Sequence, residues 1–131
     1  LITAGKLIPK LNFPLQIDYI HATRYKGGTN GGKLTWLKKP DKSLAGRTIL
    51  LVDDILDEGI TLSEITKYCY SNGAKNVFTT VLVQKVLDNK QLKQKIDFVG
   101  LTVPDTYVFG YGMDYSEYHR NIAGIYAVRK S

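Results

Sequence analysis

The stretch Thr48-Ile-Leu-Leu-Val-Asp-Asp-Ile-Leu-Asp-Glu-Gly-Ile-Thr61 decides the architecture of this chain. From Arg47 to Val52 all residues but the arginine are apolar or β-branched, the composition of a buried strand. The run ends in the adjacent acids Asp53 and Asp54. Asp57, Glu58 and Gly59 follow, and then a helix-start signal. Thr61-x-x-Glu64 has the spacing of a capping box. Leu62, Ile65 and Cys69 form an apolar helical face, and Ser71-Asn72-Gly73 is a stop signal. Asn76 to Gln84 reads as the next strand. Strand, helix and strand at this spacing predict a right-handed βαβ unit, hence an α/β fold with a central, mainly parallel sheet. In open sheets of this kind ligands bind at the carboxyl ends of the strands. Asp53 to Thr61 falls at that position.

Outward from this unit the pattern is simpler. The chain opens directly in a helical pattern to about Asn12, with Leu1, Ala4, Leu7, Ile8 and Leu11 on one face and Gly5 and Pro9 weakening it. It reads as a polypeptide that has lost its beginning. Leu15 to Tyr25 alternates as a strand does. Lys26 to Gly32 is a glycine-rich loop, Leu34 to Leu37 a short strand, and Pro40 to Ser43 a turn. Asp88 to Lys95 is polar and predicts a loop or a single helical turn. Phe98 to Val103, Tyr107 to Phe109 and Ile122 to Val128 are expected strands. The 131 residues suit one domain with one core, residues 1–131.

No apolar run approaches the roughly 20 residues that span a bilayer. The order of charge and apolar residues at Leu1 to Lys6 is not that of a signal peptide. Cys69 is the only cysteine, which precludes an intrachain disulfide and suits a reducing, cytoplasmic compartment. The net charge of +6 favours polyanionic partners, either nucleic acid or small phosphates. Lysines 33, 38, 39, 42, 85, 90, 93 and 95 are spread along the chain, with no dense basic run interleaved with aromatics. That distribution argues against nucleic acid.

Several chemistries place acids as Asp53-Asp54-x-x-Asp57 does. A receiver-type phosphoacceptor pocket needs its acid-bearing strand near the start of a larger sheet than the residues after Asp53 can build. The Asp-Asp-x-x-Asp metal site of prenyl-transferring enzymes lies on a long helix, whereas these acids follow a β-branched strand. A helix cap facing water accounts for Asp57 or Glu58, but not for two more acids directly after an apolar strand. A ribose phosphate site accounts for all of them. Paired carboxylates accept hydrogen bonds from vicinal sugar hydroxyls. Glu58-Gly59-Ile60-Thr61 offers backbone N–H groups at a helix N-terminus, where a phosphate is favoured.

The same residues resemble the phosphoribosyl pyrophosphate motif of the type I phosphoribosyltransferases. Val103-Pro-Asp-Thr-Tyr-Val-Phe-Gly-Tyr-Gly-Met-Asp-Tyr-Ser-Glu-Tyr-His-Arg120 resembles the purine-binding segment of the hypoxanthine-guanine members. Together the two matches run from about Ile20 to Val128. The resemblance implies purine salvage: hypoxanthine or guanine plus phosphoribosyl pyrophosphate gives IMP or GMP and pyrophosphate. It implies the family fold, a sheet flanked by helices, with residues 103–131 contributing to a small purine-binding hood.

The resemblance also implies roles. Asp57 matches the general acid/base near purine N7. Asp53 and Asp54 match the acids facing the ribose hydroxyls and Mg2+, and Glu58, Gly59, Ile60 and Thr61 match the 5′-phosphate loop. Lys85 matches the donor to the purine 6-oxo group, which favours oxopurines over adenine. Tyr107 matches the aromatic that stacks on the base, and Val108 offers backbone groups to the base edge. Asp114 matches a Mg2+-holding acid acting through water, and Arg120 a pyrophosphate-binding arginine. Arg24 and Tyr25 stand at the family's Ser-Tyr pair on a mobile lid, with arginine in place of serine. His21 and His119 stand at no position this chemistry needs. An earlier pyrophosphate-binding loop is expected upstream of Leu1, and a homodimer or homotetramer is implied. Two alternatives remain: a regulatory protein on this fold that binds nucleic acid, supported only by the positive charge, and an inactive fragment.

Overall fold

The computed structural model describes residues 1–24, 34–56, 59–86 and 95–129. Within them the elements are α1 (Ile2–Leu7) with a 3-10 turn (Ile8–Lys10), β1 (His21–Arg24), β2 (Leu34–Lys38), β3 (Thr48–Leu56), α2 (Ile60–Ser71), β4 (Asn76–Val86), β5 (Phe98–Pro104), β6 (Val108–Phe109) and β7 (Tyr126–Ala127). Strands β3, β4 and β5 form a central parallel sheet in that order, flanked by helices. β5 pairs with β4 in the register Val81↔Val99, Val83↔Leu101 and Lys85↔Val103. The expected βαβ unit is therefore β3–α2–β4.

The residues group into two compact units. One comprises Pro14–Leu50 and Gly59–Phe78. Here β1 and β2 form an antiparallel pair, Ala22↔Trp36 and Arg24↔Leu34. The Trp36 ring lies 4.5 Å from the Tyr68 ring of α2. Leu62 and Cys69 are buried on one face of α2, because positions seven apart share a side of a helix. The helix ends where the sequence predicts. Asn72 caps it, and Gly73 takes φ +90°, a left-handed turn that glycine adopts without strain. The backbone N–H of Gly46 donates to Gly73 O at 2.8 Å, which ties the start of β3 to the helix end.

The other unit comprises Leu1–Phe13, Leu51–Glu58 and Thr79–Ser131. Its core is Val83, Val108 and Met113, with Ile55, Leu82, Val103 and Ile125 packed around them. Thr79 is buried, and its N–H and hydroxyl both donate to Asp97 Oδ2, at 2.8 and 3.2 Å. β6 and β7 pair antiparallel, Val108↔Ala127 and Phe109↔Tyr126. Gly110 turns the chain out of β6 with φ +92°, and a Cβ there would collide with the carbonyl oxygen of Gly124. A Gly110→Ala variant is expected to lose about 2 kcal/mol, from left-handed strain and overpacking together. Urea unfolding checks this, and an unchanged midpoint would contradict it.

Several expected boundaries move. The opening helix stops at Leu7 and tightens into a 3-10 turn, because Pro9 has no N–H to continue the ladder. The strand expected over Leu15 to Tyr25 is paired only from His21. Leu15, Ile17 and Tyr19 stay exposed, and the Asp18 carboxylate accepts the N–H groups of Tyr19 and Lys42 instead. Those bonds hold Asp18 down at about 2, the Lys42 backbone donor contributing most. β3 does not end at Val52. It carries Asp53 and Asp54 inside the strand and finishes at buried Leu56. The expected strand over Ile122 to Val128 shortens to Tyr126–Ala127, extended by the bond from Val128 N to Tyr107 O, while the Ile122 carbonyl accepts the Tyr111 N–H at 2.8 Å. The expected loop over Lys26 to Gly32, and the loop or helical turn over Asp88 to Lys95 save Lys95 itself, lie outside the described residues.

Candidate active site

The acid pair occupies the carboxyl half of β3. Strand alternation sends Asp53 and Asp54 to opposite faces, Asp53 exposed and Asp54 half-buried. Each carboxylate reaches its own backbone. Asp53 Oδ1 accepts from Asp54 N at 2.8 Å, and Asp54 Oδ1 accepts from Ile55 N at 2.7 Å. Partial burial of the carboxyl and repulsion from the neighbouring Asp54 raise Asp53 to about 7.

This shift has a consequence for stability. Between the ordinary carboxylate value and about 7 the folded chain binds the proton that the unfolded chain has released. Stability therefore falls as pH rises through that window. Asp53→Asn is expected to flatten the fall between about pH 4 and 7 and to leave the protein more stable than wild type at pH 8. Thermal unfolding in metal-free buffer across that range is the check, and parallel curves for the two proteins would contradict the assignment.

The first turn of α2 forms a separate element of the other unit. Gly59 is its N-cap, buried, with φ 80° and ψ 8°. This corrects the expected capping box. The helix begins at Ile60 with no side-chain cap, so Thr61 lies inside the first turn, and Glu64 instead pairs with Lys67 at 3.5 Å. The reason is local. Left-handed Gly59 makes the sharp turn itself, and its carbonyl accepts the Ser63 N–H at 2.9 Å. The leading N–H groups of a helix have no intrahelical partner, and they favour an anion.

Lys85 lies inside β4, which runs two residues further than its apolar pattern. Alternation puts it on the face of Val81 and Val83, and Val83 packs with Val108 of β6. Lys85 is half-buried at the end of that row. Val108 itself is core, 6% exposed. Val128 N donates to Tyr107 O at 2.8 Å, so residues 107 and 128 form a hydrogen-bonded pair. Val108 and Ala127 are then the alternate kind, and the N–H and C=O of Val108 point to the edge of β6 away from β7.

The loop after β6 brings three expected residues together. The Tyr107 hydroxyl donates to Asp114 O at 2.8 Å. Arg120 Nη1 donates to Gly112 O at 3.0 Å, and Nη2 lies 3.8 Å from Asp114 Oδ1. Aromatic rings support Tyr107. Tyr115 meets it edge-on at 6.0 Å, Phe109 lies 5.6 Å from Tyr115, and Tyr126 stacks on Phe109 at 5.9 Å. The His119 ring joins this cluster, 5.8 Å from Phe109, and His21 is a strand residue beside Tyr19. Sequence reasoning missed Phe109, Tyr115 and Glu117. The aromatic spacing within residues 107–115 was the available signal, but nine tyrosines in the chain dilute it.

Among the described residues no cluster of three or more acids, histidines or cysteines could enclose a metal. The donors fit a hard cation held partly by water and by a ligand's phosphates. Asp53 carries the strain of like charge, and the Asp114 carboxylate keeps lone pairs beyond its contacts. Asp57, Glu58 and Tyr25 lie outside the described residues. For Arg24 the strand position is described, at the end of β1.

Comparison with known proteins adds relatives to this geometry. The family model described as "Phosphoribosyl transferase domain" matches residues 1–117. The chain is 36% identical over 117 residues to a hypoxanthine-guanine phosphoribosyltransferase of Bacillus subtilis (strain 168), covering 88% of this chain and 64% of that protein. It is 36% identical over 113 residues to one from Aquifex aeolicus, covering 86% and 63%. It thus spans less than two thirds of these curated relatives. A crystal structure of a hypoxanthine phosphoribosyltransferase from Staphylococcus aureus superposes with TM-score 0.89 at 29% identity, over 98% of this chain and 70% of that one.

Proposed function

Because this chain belongs to the phosphoribosyl transferase domain family, we propose that it transfers the 5-phosphoribosyl group of phosphoribosyl pyrophosphate to hypoxanthine or guanine, giving IMP or GMP and pyrophosphate. The observation that carries this reading is the loop after β6. It gathers an aromatic ring at Tyr107, a carboxylate at Asp114 and a guanidinium at Arg120. A planar base, a cation and a pyrophosphate are the ligands that suit such a set.

The base stacks on Tyr107, with its polar edge toward the backbone N–H and C=O of Val108 and its 6-oxo group toward Lys85. The half-buried position of Lys85, on the face that packs against β6, supports that role. Asp53 and Asp54 receive the ribose hydroxyls. Gly59, Ile60 and Thr61 offer the backbone N–H groups of the first turn of α2 to the 5′-phosphate, with Glu58 completing the loop. Asp57 accepts and returns the proton at purine N7. Departure of pyrophosphate leaves positive charge at the sugar, and the carboxylates of β3 are suited to stabilise it. Arg120 holds the leaving pyrophosphate. Mg2+, where bound beside Asp53 and Asp114 through water, would neutralise charge on that group. Arg24 and Tyr25 belong to a lid that excludes water.

Residues 1–131 act in this reading as one domain, with 103–131 contributing to the purine hood. A homodimer or homotetramer follows from the family alone. Cytoplasmic residence is supported by the single, buried Cys69. Among the described residues no helix is long and apolar enough to cross a membrane. The test is pyrophosphate release from phosphoribosyl pyrophosphate with hypoxanthine, guanine, xanthine and adenine in turn. Release dependent on an oxopurine is expected, and release with adenine alone would overturn the substrate class.

A further inference from the structure

We propose that Glu117 is a positioning residue of this site, holding the Arg120 guanidinium beside the Asp114 carboxylate in the orientation that receives pyrophosphate. The proposal rests on the pyrophosphate-binding role given to Arg120 above. Among the residues of the loop, Glu117 reaches both partners. Its backbone N–H donates to Asp114 Oδ2 at 2.9 Å, and its carboxylate lies 3.8 Å from Arg120 Nη2. The same Nη2 stands 3.8 Å from Asp114 Oδ1, so two carboxylates flank one guanidinium nitrogen. Nη1 is fixed separately on Gly112 O, and Gly112 N donates back to Arg120 O at 2.7 Å. Arg120 is thereby held through both its main chain and its fork.

Backbone strain on this loop points the same way. Tyr111, Ser116, Glu117 and His119 are the non-glycine residues with left-handed φ among those described, and all four lie between β6 and β7. Glu117 itself has φ 71°. Such conformations persist where their surroundings impose them, and they concentrate at ligand clamps. Here the Asp114 bond to the Glu117 N–H imposes the turn, and the turn aims the Glu117 carboxylate at Arg120. Glu117 is largely exposed, so this contact serves orientation more than stability.

Removing a negative charge beside an anion site would by itself tighten anion binding, so the direction of the effect separates positioning from simple electrostatics. Glu117→Ala is expected to weaken magnesium pyrophosphate binding, measured calorimetrically, by about 10-fold. The KM for phosphoribosyl pyrophosphate should rise in step, with kcat within about twofold. Glu117→Gln keeps an acceptor and should recover most of the loss. Glu117→Gly removes the carboxylate but accommodates the left-handed φ, so it should match the alanine variant even if that variant folds poorly. Unchanged or tighter pyrophosphate binding in the alanine and glycine variants overturns the proposal. A wild-type protein that binds no pyrophosphate overturns the role of Arg120 beneath it and the proposal with it.

Discussion

An Asp57→Asn variant is expected to bind phosphoribosyl pyrophosphate and hypoxanthine near the wild-type level and to turn over at least about 100-fold more slowly. The amide has the size of the carboxylate and keeps an acceptor oxygen, so ground-state contacts survive. It cannot take up the purine N7 proton at neutral pH. The lost interaction belongs to the transition state alone, so kcat should fall with little change in KM. Calorimetric binding combined with single-turnover rates separates the two quantities. Near-normal single-turnover rates would remove Asp57 from proton transfer and leave the acids of β3 as purely electrostatic groups.

Lys85→Met should be nearly as costly for one substrate and harmless for another. Methionine matches the length of the lysine stem and can follow the same row behind Val83. It lacks the ammonium that donates to a 6-oxo group. A hydrogen bond to a charged group contributes about 1.5–3 kcal/mol, so kcat/KM for hypoxanthine should fall by about 10- to 100-fold. Adenine presents a donor at that position and gains when the opposing donor is removed, so its kcat/KM should hold or rise. The ratio of the two substrates is the measurement. A ratio that survives the substitution would place specificity elsewhere, for instance in the Val108 backbone.

Much of this protein was legible in one dimension. The run from Thr48 to Val52, the apolar face Leu62 and Cys69, the glycine stop at Gly73 and the run Val77 to Val83 each carry a local periodicity or a backbone preference. Such signals are short-range, so they predicted β3, α2, β4 and the parallel sheet. The resemblance of Asp53 to Thr61 and of Val103 to Arg120 to a known family supplied the candidate site, because functional residues there stand in contiguous motifs.

The boundaries moved where backbone geometry or a partner elsewhere in the chain decided them. Asp53 and Asp54 read as the residues after a strand, yet β3 continues through them, stitched by carboxylate bonds to its own backbone and drawn on by buried Leu56. Thr61 reads as a cap, yet Gly59 turns the chain two residues earlier. Leu15 to Tyr19 alternates like a strand but pairs with no strand among the described residues, its Asp18 carboxylate and Ile17 carbonyl bonding Lys42 instead. The strand expected over Ile122 to Val128 shortens, and the Ile122 carbonyl accepts from Tyr111.

The sequence by itself determined the strand–helix–strand unit and the identities of the acids, the lysine and the arginine, since these depend on neighbours a few residues away. The tertiary structure decided that partial burial raises the Asp53 carboxyl, that Lys85 continues the Val83 row toward β6, and that Glu117 joins Asp114 to Arg120. Each of these depends on burial, alternation or left-handed turns that set the distance between groups, and residue types alone do not encode distance.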